Sequence, residues 1–197
     1  MNKKQLDEQN KQLQYILIGI SILVLLVFGG YYFSQSRLNF NYEGIDFKTV
    51  SMGSLVFYEA TFPIWYYGEP VEYSYYLRGN PKKTAKEVKL EISGNLNFLP
   101  VAIINSSSEF NCNGDGSISV GNLQKVLEIR GTTLQVNQSL GCSENSDYMY
   151  LYLTEGEENE IKEISPFCYE LRINDCEILK VTERFDLEVL KEIYSRL

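Results

Sequence analysis

Residues 178–194 read ILKVTERFDLEVLKEIY, a stretch with the periodicity of an α-helix. Its apolar side chains recur at Ile178, Val181, Phe185, Val189 and Ile193. The charged side chains that fall off this stripe include Lys180, Glu183, Lys191 and Glu192. The pattern predicts an amphipathic C-terminal helix whose stripe packs on a sheet of its own domain. Its polar face is mixed in charge, which disfavours a helix lying on a membrane.

The segments upstream of this helix are typical of β-strands. They are short, rich in β-branched and aromatic residues, and separated by breaks such as Met52-Gly53-Ser54. Strands are predicted at 42–50, 55–62, 71–77, 86–92, 101–104, 132–136, 148–153, 160–164 and 168–173.

A central helix is predicted within this series of strands. Apolar residues recur there at helical spacing, at Val120, Leu123, Val126 and Leu127. Ser119 is the expected N-cap and Gly131 the expected stop. The fold class is therefore α+β, a strand-rich domain with a central helix and a C-terminal amphipathic helix.

The N-terminal region contains a long segment without charge. Residues 15–33 read YILIGISILVLLVFGGYYF, and no charged residue occurs between Lys11 and Arg37. As a helix, this segment is about 28 Å long, close to the ~30 Å hydrocarbon core of a bilayer. It therefore predicts a single transmembrane signal-anchor helix. A signal peptide cleaved at Val27-Phe28-Gly29 is the alternative.

The basic residues around this segment predict its orientation. Lys3, Lys4 and Lys11 precede it, whereas only Arg37 follows it directly. Because positive residues tend to stay in the cytoplasm, the N-terminus is expected inside the cell and the remainder outside the cell membrane. The predicted order is a cytoplasmic tail, a membrane span, a short connector and an extracytoplasmic domain, over residues 1–14, 15–33, 34–39 and 40–197.

The cysteines support export. All four follow the apolar segment, at Cys112, Cys142, Cys168 and Cys176. An even number confined to an exported domain predicts two disulfides, and no CxxC pair indicates a redox motif or a zinc site. The pairs Cys112–Cys142 and Cys168–Cys176 are expected because they close the shortest loops, although two other pairings stay open.

Charge and composition exclude several classes of function. The chain has 18 basic residues, 26 acidic residues and no histidine, so its net charge is −8. Residues 1–37 carry +2 and residues 38–197 carry −10, which argues against nucleic-acid binding. The absence of histidine excludes Ser-His-Asp and Cys-His catalysis and histidine-ligated zinc. An enzyme would depend on carboxylates, no motif marks a catalytic residue, and no cofactor is predicted.

Residues 111–122, NCNGDGSISVGN, partly match a calcium-binding loop. Its ligands would be Asn111, Asn113, Asp115 and Ser119. The last position is Asn122, where such a loop needs a bidentate glutamate, so a site here would be weak. The other interpretation is a glycine-rich turn that is pinned by Cys112 and leads into a helix.

These features predict a membrane-anchored extracytoplasmic binding or assembly module, such as an accessory subunit with a protein partner. One alternative is a surface hydrolase whose paired carboxylates lie within about 5–10 Å in a pocket. A weak calcium-dependent adhesion module is the other alternative.

Overall fold

The computed structural model describes residues 15–30, 38–66, 68–137, 141–142 and 147–197. The chain divides into two compact units, Met1–Phe40 and Asn41–Leu197. The described part of the second unit contains helices and two β-sheets, which confirms the predicted α+β class.

The described part of the first unit includes helix α1, residues 15–30. Its large apolar side chains are exposed, from 44% at Val24 to 73% at Tyr15. Among the described helices, none combines the length and the apolar character that a membrane crossing requires. The predicted span over 15–33 is thus unsupported. The predicted tail and most of the predicted connector lie outside the described residues.

Four consecutive strands form the first sheet, in the order β1–β2–β3–β4. They cover Asn39–Tyr42, Ile45–Met52, Leu55–Tyr66 and Glu69–Leu77. The single strand predicted over 42–50 is wrong because Glu43 and Gly44 form a turn, with φ angles of 50° and 89°. β3 and β4 form a long antiparallel hairpin that continues past β2, whose pairing with β3 ends at Phe47 opposite Ala60.

Six strands form a second, mixed sheet in the order β5–β9–β10–β8–β6–β7. In chain order, β5 to β10 cover Lys89–Glu91, Val101–Ser106, Thr133–Val136, Met149–Glu155, Glu160–Ser165 and Cys168–Ile173. β6 runs parallel to its neighbours β7 and β8, so the carboxyl ends of these three strands lie at one edge. The strands predicted from residue 101 onward are confirmed, with ends that differ by at most two residues.

The domain also contains α2 (Pro81–Glu87), α3 (Asp115–Arg130) and α4 (Ile178–Tyr194). Helix α4 has its predicted bounds, and all five residues of its predicted stripe are buried. It packs on α3 and contacts both sheets, through β2 in the first and through β9 and β10 in the second. Tyr194 donates its hydroxyl to the Thr61 carbonyl at 2.8 Å, and the rings of Phe185 and Tyr169 are 5.8 Å apart. Helix α4 therefore packs against both sheets.

Helix α2 corrects the strand predicted over 86–92. Only Lys89–Glu91 of that range is a strand, because residues 81–87 are helical. The side chain of Asn80 caps the helix by accepting the N–H groups of Lys82 and Lys83 at 3.0 and 3.3 Å. Pro81 supplies the fixed φ that suits a first helical position.

Helix α3 corrects the predicted start of the central helix. It begins at Asp115, four residues before Ser119, which lies fully buried inside it. The predicted stop is confirmed: Gly131 has φ of 90°, and its N–H donates to the Glu128 carbonyl at 3.0 Å. This left-handed residue is a common helix ending.

Two disulfides are present, as predicted, but the expected pairing is wrong. Cys112 bonds Cys176 and Cys142 bonds Cys168, with Cα–Cα distances of 5.5 and 5.8 Å. Cys112 precedes α3 and Cys176 precedes α4, and these two helices pack on each other. The free energy of loop closure changes by only about 0.6 kcal/mol per doubling of loop length, so packing overrides the preference for short loops.

Candidate functional site

A cleft of about 520 Å³ opens at the carboxyl ends of β6, β7 and β8, beside the N-terminal half of α3. We call it the strand-edge cleft. It is lined by Ile104, Asn105, Ser106, Phe110, Gly116, Ser117, Val120, Gly121, Gln124, Val136, Leu153 and Ile178. Ligands of α/β proteins commonly bind outside the carboxyl ends of parallel strands, and small-molecule sites commonly measure about 300–1,000 Å³.

The start of α3 shapes one wall of the strand-edge cleft. Gly114 has φ of 97°, and a Cβ added at Gly116 would lie 1.8 Å from the carbonyl oxygen of Phe110. Residues 112–114 form a single 3-10 turn. Glycine is therefore required where the chain turns sharply into the helix.

The strand-edge cleft has a lining without charge. Its polar side chains are Asn105, Ser106, Ser117 and Gln124, and its large side chains are aliphatic or aromatic. The Ser106 hydroxyl donates to the Ser108 carbonyl at 2.5 Å, and the Gln124 amide donates to Glu128 at 2.9 Å. Such a lining combines apolar area with a few hydrogen-bonding groups and suits an uncharged ligand.

The four residues of the predicted calcium loop, Asn111, Asn113, Asp115 and Ser119, lie in the 3-10 turn, directly before it and in the first turns of α3. Asp115 places its carboxylate 3.2 Å from the Arg78 guanidinium, and Ser119 is buried against the domain core. Asn113 adopts a left-handed conformation within the 3-10 turn. In the part of the chain that the structure describes, no group of three or more acidic or cysteine side chains could hold a metal ion. Calcium binding stays a prediction, which a thermal shift abolished by Asp115→Ala would support.

A second cleft, of about 480 Å³, collects charged side chains between α2, the end of β4 and the starts of α3 and α4. We call it the acid cleft. Its charged lining consists of Arg78, Lys83, Glu87, Asp115, Glu177, Lys180 and Glu183. Ion pairs neutralise most of them: Lys180 lies 3.0 Å from Glu87 and 2.5 Å from Glu177.

Glu183 is the most buried acid of the acid cleft, with 2% exposure. Its two carboxylate oxygens accept the backbone N–H groups of Arg78 and Gly79 at 2.5 and 2.7 Å. Burial raises the pKa of Glu183 from 4.5 to about 7, although these N–H groups and the Arg78 charge act against the rise. Glu183 therefore fastens the turn between β4 and α2 to helix α4.

Asp186 lies one helical turn further along α4 and is completely buried. It accepts the Tyr75 hydroxyl at 2.8 Å through Oδ2, whereas its Oδ1 has no hydrogen-bond partner. Burial is the main cause that raises the pKa of Asp186 well above its usual value, and the negative Glu183 raises it further. The helical pattern predicts burial of neither acid, since Glu183 falls off the apolar stripe and Asp186 is not part of it. The sequence contains one sign that Asp186 is buried, because this aspartate lies between two apolar residues, Phe185 and Leu187.

Comparisons of this chain with protein-family models, with curated proteins and with solved structures find no match.

Proposed function

We propose that this chain is a membrane-anchored extracytoplasmic binding module, an accessory subunit that takes a small uncharged ligand in the strand-edge cleft. One observation carries the proposal: a 520 Å³ cleft without a charged side chain lies in a domain of net charge −10. An uncharged lining in so acidic a domain favours neutral molecules with an apolar body.

The lining of the cleft favours a ligand that combines hydrogen-bonding groups with apolar surface. Asn105 and Ser106 come from the end of β6, and Ser117 and Gln124 come from one face of α3. Val136 and Leu153 supply apolar surface from the neighbouring strands. A small aromatic or aliphatic amide or alcohol matches this combination of polar and apolar side chains.

The membrane anchorage rests on α1 and its flanking charges. Every large apolar side chain of α1 is exposed, and a helix that is apolar all round needs an apolar environment. The bias of basic residues toward the N-terminal side supports a location of the domain outside the cell. The disulfides Cys112–Cys176 and Cys142–Cys168 fit an oxidising compartment.

The ligand proposal is tested with three matched aromatic compounds. The full chain is reconstituted in nanodiscs, and saturation-transfer NMR is recorded with benzamide, benzoate and benzylamine, with empty nanodiscs as the background. Benzamide is expected to bind, and the two ions at least about tenfold more weakly, because the cleft cannot pair a buried charge.

Two variants locate that binding. Gly121→Leu narrows the cleft at a position where nothing lies within 4 Å of an added Cβ. Ile118→Phe adds bulk to the same helix outside the cleft lining, at a side chain that is 41% exposed. Loss of benzamide binding in Gly121→Leu but not in Ile118→Phe supports the proposal. Equal signals for the three compounds, or no effect of Gly121→Leu, would contradict it.

The anchorage is tested separately by alkaline carbonate extraction of membranes that contain the chain. The wild type is expected to stay with the membranes. Replacing Val24 and Leu25 by arginine is expected to release it, since each buried charge costs about 2.5–3.5 kcal/mol at the centre of a bilayer. Release of the wild-type chain by carbonate would contradict anchorage.

A carboxylate hydrolase is the second candidate, favoured by one observation: Asp115 and Glu183 line the same cleft. Both oxygens of Glu183 are engaged by backbone N–H groups, so a catalytic role would require the turn at Arg78 to open. Hydrolysis of chromogenic glycosides that is lost in Asp115→Asn would establish this activity. Unchanged hydrolysis rates in Asp115→Asn would exclude Asp115 and Glu183 as the catalytic pair.

A further inference from the structure

A groove of about 640 Å³ lies between the outer end of the β3–β4 hairpin and the last turns of α3 and α4. We call it the aromatic–arginine groove. The residues that define it are Trp65, Tyr73, Lys125, Arg130, Arg196 and Leu197. It shares no lining residue with the strand-edge cleft or the acid cleft.

The groove exposes large apolar side chains on two of its walls. Trp65, the single tryptophan of the chain, is 78% exposed. It lies on the part of the hairpin that continues past β2. Leu197, on the opposite wall, is 65% exposed. Large apolar side chains gathered at one exposed place indicate an interaction surface.

The groove also contains arginines without a carboxylate partner. Of the arginines that the structure describes, three form ion pairs, namely Arg78, Arg172 and Arg184. In the same described residues, Arg130 and Arg196 form none, and both line this groove.

Arg130 is held in place by its surroundings. Its guanidinium lies 4.6 Å from the centre of the Phe98 ring. Its Nε is buried without a hydrogen-bond partner. Burial lowers the pKa of Arg130 and the neighbouring Arg196 lowers it further, although Glu192 partly offsets this. Two mutually repelling guanidinium groups are thus concentrated beside an exposed indole.

We propose that the aromatic–arginine groove docks the domain onto anionic phospholipid headgroups, with Arg130 and Arg196 binding phosphate and Trp65 entering the bilayer interface. Guanidinium groups bind phosphate through paired hydrogen bonds, and tryptophan is enriched at membrane interfaces.

The basic lining of the groove favours anionic phospholipid headgroups as its ligand. Three basic side chains and one acidic side chain, Glu128, line the groove, whereas residues 38–197 carry a net charge of −10. An anionic bilayer repels most of such a domain and attracts it at a basic surface. The inference rests on the proposed anchorage, which keeps the chain at the bilayer.

The test uses the fluorescence of Trp65, which no other tryptophan obscures. The full chain is reconstituted in vesicles of phosphatidylcholine alone or of phosphatidylcholine with phosphatidylglycerol, each containing brominated lipid. Quenching by the brominated lipid measures contact of Trp65 with the bilayer, and flotation measures membrane association.

The variant Arg130→Gln/Arg196→Gln removes both guanidinium groups. Lys82→Gln/Lys86→Gln removes the same charge from exposed positions on α2, outside the groove lining. Quenching is expected to be strong only with phosphatidylglycerol and to weaken as salt is added. In the arginine variant the ratio of docked to undocked chain is expected to fall about 30-fold, and in the lysine variant much less.

Equal quenching in both kinds of vesicle, or equal quenching in the arginine variant and the wild type, would overturn the docking inference. Shielding of Trp65 from acrylamide without lipid would also overturn it, since the groove would then be covered by a second copy. Flotation distinguishes membrane anchorage from docking through the groove. A chain that floats with neutral vesicles but shows no headgroup-dependent quenching is anchored without docking. A chain that floats only with phosphatidylglycerol, through its arginines, docks without the anchor.

Discussion

The Tyr75 hydroxyl donates a hydrogen bond to the Asp186 carboxylate at 2.8 Å, in a position where Asp186 is completely buried. Tyr75 belongs to β4 of the first sheet, and Asp186 belongs to α4, which also packs on the second sheet. This polar contact therefore links the two halves of the domain through its interior.

Removal of the Tyr75 hydroxyl is expected to destabilise the domain. Tyr75→Phe leaves Asp186 without its donor, and an unsatisfied buried acceptor costs about 1–3 kcal/mol. Tyr76→Phe is the matched control, because the Tyr76 hydroxyl bonds Glu59 at 2.9 Å in a more exposed place. Urea unfolding of both variants gives the comparison. A smaller decrease in the free energy of unfolding in Tyr75→Phe than in Tyr76→Phe would show that the buried contact contributes little to stability.

The stability of the domain is expected to fall as the pH rises from about 4.5 to about 7. The pKa of Glu183 is raised from 4.5 to about 7 by burial, so the folded chain binds more protons in this range than the unfolded chain. Its stabilising contribution is complete below pH 4.5 and is lost as the pH passes 7.

The measurement is the free energy of unfolding at several pH values in wild type, Glu183→Gln and Glu155→Gln. Glu183→Gln is expected to flatten the pH dependence, whatever its overall stability. Glu155→Gln, at an exposed position, keeps the wild-type slope. A steeper slope in Glu183→Gln would contradict the burial argument.

The two disulfides are expected to contribute unequally. Their sequence separations are 64 and 26 residues, which correspond to about 4 and about 3.5 kcal/mol in a chain-entropy treatment. Cys112→Ser/Cys176→Ser should thus melt below Cys142→Ser/Cys168→Ser. Mass spectrometry of non-reduced peptides checks the pairing itself. A peptide joining Cys112 to Cys142 would refute it.

Two glycines of α3 are expected to respond in opposite ways to alanine. Gly116→Ala forces a Cβ toward the Phe110 carbonyl, 1.8 Å away, and overpacking of this kind costs about 1–3 kcal/mol. Gly121→Ala meets open space and should gain up to about 1 kcal/mol of helix propensity. Thermal unfolding of the pair measures both effects. Equal changes in thermal stability would mean that the turn before α3 can move to accept the added Cβ.

Helix α4 shows which features of the fold can be predicted from the sequence and which cannot. Its apolar period predicts both ends, and Gly131 likewise predicts the end of α3, because these signals are local. The burial of Glu183 and Asp186 depends instead on a turn 105 residues earlier and a strand 111 residues earlier in the chain, which the helical period does not reveal.

The pairing of the cysteines and the strand-edge cleft escape prediction for the same reason. Cys112 and Cys176 approach because α3 and α4 pack together, not because their spacing is short. The cleft forms where three strands that are distant in the sequence end at one edge. The spacing of residues 111–122 allows both a calcium loop and a glycine-rich turn that leads into a helix, whereas the requirement for glycine at Gly116 depends on the neighbouring Phe110 carbonyl.

The most direct test of the ligand proposal is methyl NMR of the nanodisc-reconstituted chain during titration with benzamide. Resonances of Ile104, Val136 and Leu153, which line the strand-edge cleft, are expected to shift together and to saturate. In Gly121→Leu they should stay in place. Unchanged resonances in the wild type, or shifts confined to residues outside that cleft, would contradict a binding module of this kind.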